Sequence, residues 1–350
     1  GCAAGVGRGR RPATVPAAGR PSASRAATLA GARPQRRQKQ PKSPRSKAPP
    51  KAPSRVQRQG AGRAAAGKGQ DPTGGSLART WGAISAPLEP WDVPWGGATV
   101  AGGMLGWAGS FLLVGGLAVP AALLAAGVDL RSLPVEDKAS YILLLQAAET
   151  AAGLLTVYLF VRPSLPFDEG SDLLKFDTSG PLWSLRDGWA GWAVGGYLSS
   201  FLVIGAVSEA LSAAGEAADS AARGTVDGVL PLVGSGVEPM VCLFLVAAVL
   251  APVLEETVFR GFLLASLTKW MPPGAAIALS SLAFGAAHFA PRDFPQLVAL
   301  GCVLGFTYTK SRNLATPMLI HGLWNGGVLG LLVVLQALGY DVQELVKQGL

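Results

Sequence analysis

From Glu238 to Leu267 the chain reads EPMVCLFLVAAVLAPVLEETVFRGFLLASL, and this stretch decides the fold class. Between Pro239 and Leu254 it holds no charge at all, and it then carries Glu255, Glu256 and Arg260 inside a run that stays apolar to its end. About 20 apolar helical residues cross the ~30 Å hydrocarbon layer of a bilayer, so the stretch is long enough to span one. In lipid only a helix or a closed barrel satisfies its own backbone, and nothing here alternates at the period of two that a barrel strand requires. The expectation is a membrane helix with three charges placed deep within it.

Working outward, the same alternation of long uncharged runs and short polar breaks continues from residue 98. It predicts spans at Ala98–Ala126, Ala139–Val161, Gly188–Leu211, Glu238–Leu267, Pro273–Ala290, Phe294–Thr309 and Leu314–Leu338. The fifth and sixth are short for a full crossing, so they tilt, thin the bilayer or hide inside the bundle. The fold class is therefore all-α: a polytopic membrane bundle of about seven spans. With 49% hydrophobic and 15% charged residues, the 350-residue chain is too apolar for most soluble domains. Small residues at four-residue spacing, Gly102/Gly106 and Gly191/Gly195, suit close helix approach.

The charge is unevenly divided. Residues 1–70 hold 17 of the 30 Lys and Arg and no acid, which leaves 13 bases and all 22 acids to residues 71–350. The formal charge of +8 belongs to that leader, so no nucleic-acid partner is expected for the body. An acid-free, Arg/Ser/Pro-rich stretch cannot bury a core and reads as a disordered leader of the transit-peptide kind. Residues 71–97 read as a Pro/Gly/Trp-rich connector whose Trp81, Trp91 and Trp95 suit the headgroup zone of a membrane surface. The expected organisation is 1–70 leader, 71–97 connector, 98–235 amino-terminal helices, 236–338 core and 339–350 tail. Seven bases fall on the amino-terminal side of the spans against five on the other, a lean that places that side in stroma, matrix or cytosol. Cys2, Cys242 and Cys302 are too few for a disulfide framework or a CxxC cluster.

Ionisable groups inside spans are costly, so each needs a reason. Glu149 stands alone in the second span, and Glu209 lies near enough to a helix end to reach water. Glu256 and Arg260 are four apart, on one face, and can pair; Glu255, about 100° further round, is left over and suits a general base. The neighbouring glutamates could also exchange these roles. The chain has only two histidines, and both fall in apolar helices, His288 four residues after Phe284 and His321 four residues before Asn325. A carboxylate, two imidazoles and a carboxamide in one shielded cavity can activate water and stabilise an oxyanion. The same set could instead be a buried polar network in a non-enzymatic scaffold or assembly factor. Equally, it could ligate pigment or relay ions.

These residues carry a resemblance. Glu255-Glu256…Arg260, Phe284…His288 and His321…Asn325 stand in the order of the three signatures EExxxR, FxxxH and HxxxN of the CPBP family of intramembrane proteases, which includes the CAAX prenyl endopeptidases and bacteriocin-processing or self-immunity proteins. Phe259-Arg260-Gly261, Ser280 to Gly285 and Thr316-Pro317 are similar as well, and the stretch from Thr316 to Asn325 looks most like the plastid members. The resemblance implies an endopeptidase acting on a membrane-associated or prenylated-type protein substrate in the bilayer, in a chloroplast membrane such as the thylakoid or inner envelope. It implies Glu255 as the water-activating base, Glu256, Arg260 and Phe284 in support, and His288, His321 and Asn325 lining the same cavity. Glu255, His288 and His321 also match the ligand count of a catalytic zinc or another divalent metal, while a glutamate-only mechanism uses the same residues. There is no HExxH, GxGD or GxSxG to point to another protease chemistry.

Overall fold

The computed structural model describes residues 82–129, 132–180, 182–185, 188–214 and 224–347. The leader and Trp81 lie outside the described residues. Among the described residues the principal helices are, in order, α1 Gly97–Ala125, α2 Val135–Ser164, α3 Ala190–Ala213, α4 Val237–Leu267, α5 Pro273–Ala287, α6 Phe294–Ser311, α7 Ala315–Ala337 and α8 Val342–Lys347. The first seven sit where the hydropathy places them. Five of these, α1 to α4 and α7, are long and apolar enough to cross a membrane. With 15 residues, α5 is only about 22 Å long; it packs on α6 as a short hairpin and leaves Leu279 and Leu282 exposed on its other face.

Local chemistry sets the ends. Pro273 and Pro295 occupy first turns, where a missing N–H removes no helical bond. At the end of α6 the chain turns through Arg312 in the left-handed region (φ 52°), its N–H donating to the Tyr308 carbonyl. Leu105, Leu112, Leu117 and Leu124 of α1 and Leu198 and Leu202 of α3 are exposed, as side chains that face lipid rather than water would be.

The principal core gathers Val258, Phe259, Phe262 and Leu264 of α4, Phe284 of α5, Tyr308 of α6 and Leu314 at the start of α7. Trp91 and Trp95 belong to it too, which corrects the expectation that they lie at the membrane surface. Trp95 donates from Nε1 to Ser266 Oγ (2.8 Å), and Trp91 stacks on Tyr308 at 5.0 Å while Arg312 covers its other face at 3.9 Å. Both indoles thus find stacking or hydrogen-bonding partners inside the protein, which competes successfully with the headgroup zone. Lys269 and Lys310 hold the segment down by donating to the carbonyls of Val93, Trp95, Ala83 and Ala86.

The glycine expectation holds in part. Gly102 and Gly106 bring α1 against Phe160 and Thr156 of α2, and Gly191 lies against Leu185. Gly195 faces open space; its neighbour Gly196 makes the close approach, to Ile320 and Thr307.

Candidate active site

The site is built on an irregular helix. Within α4, Val246–Leu250 and Thr257–Leu264 are π-helical and flank the short α-helical piece that carries Glu255 and Glu256. Pro252 explains the first irregularity: it has no N–H to give to a carbonyl one turn earlier. In lipid such a carbonyl must be satisfied from elsewhere. Asn325 of α7 donates from Nδ2 to the Ala247 carbonyl (2.9 Å), and Thr150 of α2 donates to that of Leu250 (3.5 Å). Gly322 lets α7 approach so closely that a Cβ there would stand 2.4 Å from the Ala248 carbonyl oxygen. Pro252 in the quoted stretch is the sequence signal for the Asn325 contact, whereas nothing local marks the one from Thr150.

One turn further on, the charges separate as expected. Glu256 and Arg260 are fully buried, and Arg260 Nη1 donates to Glu256 Oε1 at 2.8 Å. The same oxygen faces His321 Nδ1 at 2.8 Å. With Arg260 holding Glu256 as a carboxylate, that oxygen accepts and Nδ1–H donates. At the C-cap of α5, His288 Nδ1 lies 2.8 Å from the Phe284 carbonyl, which can only accept, so Nδ1 carries the proton there too. Each imidazole therefore keeps its Nε2 for the cavity.

Those two Nε2 atoms converge on Glu255. Its Oε2 lies 3.7 Å from His288 Nε2 and 3.9 Å from His321 Nε2, and it is buried with no hydrogen-bond partner. Glu255 and His288 are each about one-fifth exposed, whereas His321 is buried. Phe284 organises the set. Its face receives the Arg260 guanidinium at 4.3 Å, and its ring packs against His288 at 4.6 Å and His321 at 5.7 Å. Three lone-pair-bearing atoms thus face one another with no donor between them, an arrangement that calls for a donor or a positive charge in their midst.

Glu255 Oε2 stands 3.7 and 3.9 Å from the two Nε2 atoms, wider than the about 3.3 Å between ligands of a tetrahedral zinc with bonds near 2.0 Å. Among the described residues, no group of three or more His, Cys, Asp or Glu is arranged to hold a metal ion. The same separations are narrower than the about 4.6 Å that a tetrahedrally coordinated water with 2.8 Å contacts would leave. Asn325 lies one helical turn from His321, with one of its two amide N–H groups given to Ala247. A separate groove of about 470 Å³ lies between α2, residues 165–176, α4 and the start of α7. It meets α4 at Val253 and Thr257, about 200° round the helix from Glu255, and is not part of this cluster.

Apolar helices enclosing one carboxylate and two imidazoles define a polytopic membrane protein with a carboxylate–imidazole centre. Residues 237–327, which contain that centre, match the family model described as Type II CAAX prenyl endopeptidase Rce1-like. The chain is also 31% identical over 88 residues to the Membrane-embedded CAAX protease MroQ of Staphylococcus aureus (strain USA300), an overlap of 23% of this chain and 36% of that protein. The likeness to CAAX-type membrane proteases is confined to this segment, about a quarter of the chain, and the chain spans only 36% of the relative's length. No solved structure matches.

Proposed function

We propose that the protein is an intramembrane endopeptidase that hydrolyses a peptide bond in a membrane-associated protein, of the prenylated or a related kind. The observation that carries this reading is the convergence of the buried, unpartnered Glu255 Oε2 with the Nε2 atoms of His288 and His321. Glu255 takes a proton from a water as its oxygen attacks the carbonyl carbon. The second N–H of Asn325 stabilises the oxyanion, while the Nε2 atoms of His288 and His321, the latter steadied by Glu256 and Arg260, accept from the water and orient it. As the C–N bond breaks, Glu255 returns the proton to the departing amine, which leaves the site as it began. The acid-free basic leader and the likeness of Thr316–Asn325 to plastid members support a chloroplast membrane as its place of work.

The test compares membrane-protein termini in cells carrying the wild type or Glu255→Gln. New termini that appear only with the wild type support the reading and name the substrates. Identical termini, with both proteins present at equal level, refute it; complementation of a null strain by Glu255→Gln would point to a scaffold instead.

A further inference from the structure

The turn that follows His288 is fastened at its far end to a different part of the chain. Only five residues, 289–293, join His288 to α6, and their path is tightly constrained. Phe289 adopts a left-handed conformation (φ 49°), Ala290 is buried, and Pro291–Asp293 form a single 3-10 turn. From this turn Arg292 reaches across to the loop between α3 and α4, where its Nη2 donates to Asp227 Oδ1 at 2.7 Å. The Asp227 carboxylate is oriented by the Gly224 N–H, which donates to Oδ2 at 2.7 Å. Next to it, Asp293 Oδ2 accepts from both the backbone N–H and the hydroxyl of Thr225, each at 2.7 Å. Arg292 also lies 3.4 Å from Asp293, and its side chain is only 7% exposed. A Cβ on Gly224 would stand 1.8 Å from the guanidinium, so the loop has no side chain there because the Arg292 head occupies the space.

We infer that Arg292 is a positioning residue for His288. The His288 ring is tied to its own helix through Phe284, so it moves only as the last turn of α5 moves. The outer face of that turn is unsupported: Leu282, Ala286 and Phe289 are all exposed. Its inner face packs on α6, with Gly285 against Phe294 and Val298, so the two helices move as one hairpin. The latch from Arg292 and Asp293 to Asp227 and Thr225 anchors the tip of that hairpin to the α3–α4 loop. A charged, largely buried, hydrogen-bonded link holds geometry well; it adds to the packing of Phe284 on Phe259 and Arg260 of α4 in holding His288 Nε2 3.7 Å from Glu255 Oε2. The kinetic consequence rests on the hydrolytic reading above; the structural one does not.

The test has two arms. Spin labels are placed at Phe289→Cys and Leu245→Cys in a chain whose Cys2, Cys242 and Cys302 are alanine, and the distance between them is read by pulsed electron resonance. Arg292→Ala is expected to shift or broaden the distribution, Arg292→Lys to do so less, and the milder Thr225→Val serves where Arg292→Ala fails to fold. An unchanged distribution in a folded variant overturns the latch. On a substrate named by its new terminus, Arg292→Ala is expected to lose kcat roughly ten- to hundred-fold with KM little changed. A broadened distribution with kcat intact overturns the positioning role.

Discussion

Replacing Gly322 by alanine puts the geometry of the site to a quantitative test. The new methyl would stand 2.4 Å from the Ala248 carbonyl oxygen, where separations under 3.0 Å essentially never occur. That oxygen is backbone and cannot swing aside, so α7 must retreat from α4 by about 0.6 Å to reach even 3.0 Å. Overpacking of this kind costs about 1–3 kcal/mol. His321 is the adjacent residue and moves with the helix, away from Glu256 and Glu255. Since a 1 Å misplacement can cost on the order of 10²-fold in rate, the loss in kcat is expected to be about tenfold. Thermal unfolding in detergent reads the first effect and cleavage of a substrate in proteoliposomes the second. Gly330→Ala is the control, because its Cβ meets nothing within 4 Å, and there alanine is expected to stabilise α7 by about 0.5–1 kcal/mol. A folded Gly322→Ala protein with wild-type melting temperature and kcat would refute the claim that bare backbone contact sets the position of His321.

Three further outcomes follow from the same contacts. Glu255→Gln is expected to abolish cleavage while holding or raising the melting temperature, because the amide supplies N–H donors to two imidazole nitrogens that now face only a carboxylate; a destabilised variant would count against the assigned tautomers. Arg260→Met strands the buried Glu256 carboxylate and is expected to cost about 3–5 kcal/mol, and a loss under 1 kcal/mol in a denaturation series would show that Glu256 is not held as an ion. Dialysis against EDTA is expected to leave cleavage intact, since Glu255 alone supplies the base for the proposed step; a loss restored by zinc would show that Glu255, His288 and His321 close on an ion.

The identity of the paired glutamate was legible only up to a choice. Spacing put either carboxylate within reach of Arg260, and what singles out Glu256 is His321, which arrives from another helix 65 residues away to share the same oxygen. Trp91 and Trp95 illustrate the opposite failure. A Pro- and Gly-rich composition points to headgroup anchors, but Ser266 and Tyr308, distant in sequence, supply the partners that bury them. Asn325 stood in its expected helix, yet its bond to Ala247 follows from Pro252, whose effect is felt only where a second helix passes the broken turn.

By itself, the sequence determined the things that depend on one segment at a time. Apolar runs longer than the hydrocarbon layer must be helices, because lipid offers no other partner for their backbone, and the order and spacing of Glu255, Glu256, Arg260, Phe284, His288, His321 and Asn325 follow directly from it. Only the tertiary structure decided what these groups face. The direction of each imidazole is set by a carbonyl or carboxylate on the other side of its ring, and the gap at Glu255 is set by how closely three helices pack, which depends on contacts between residues far apart in the chain.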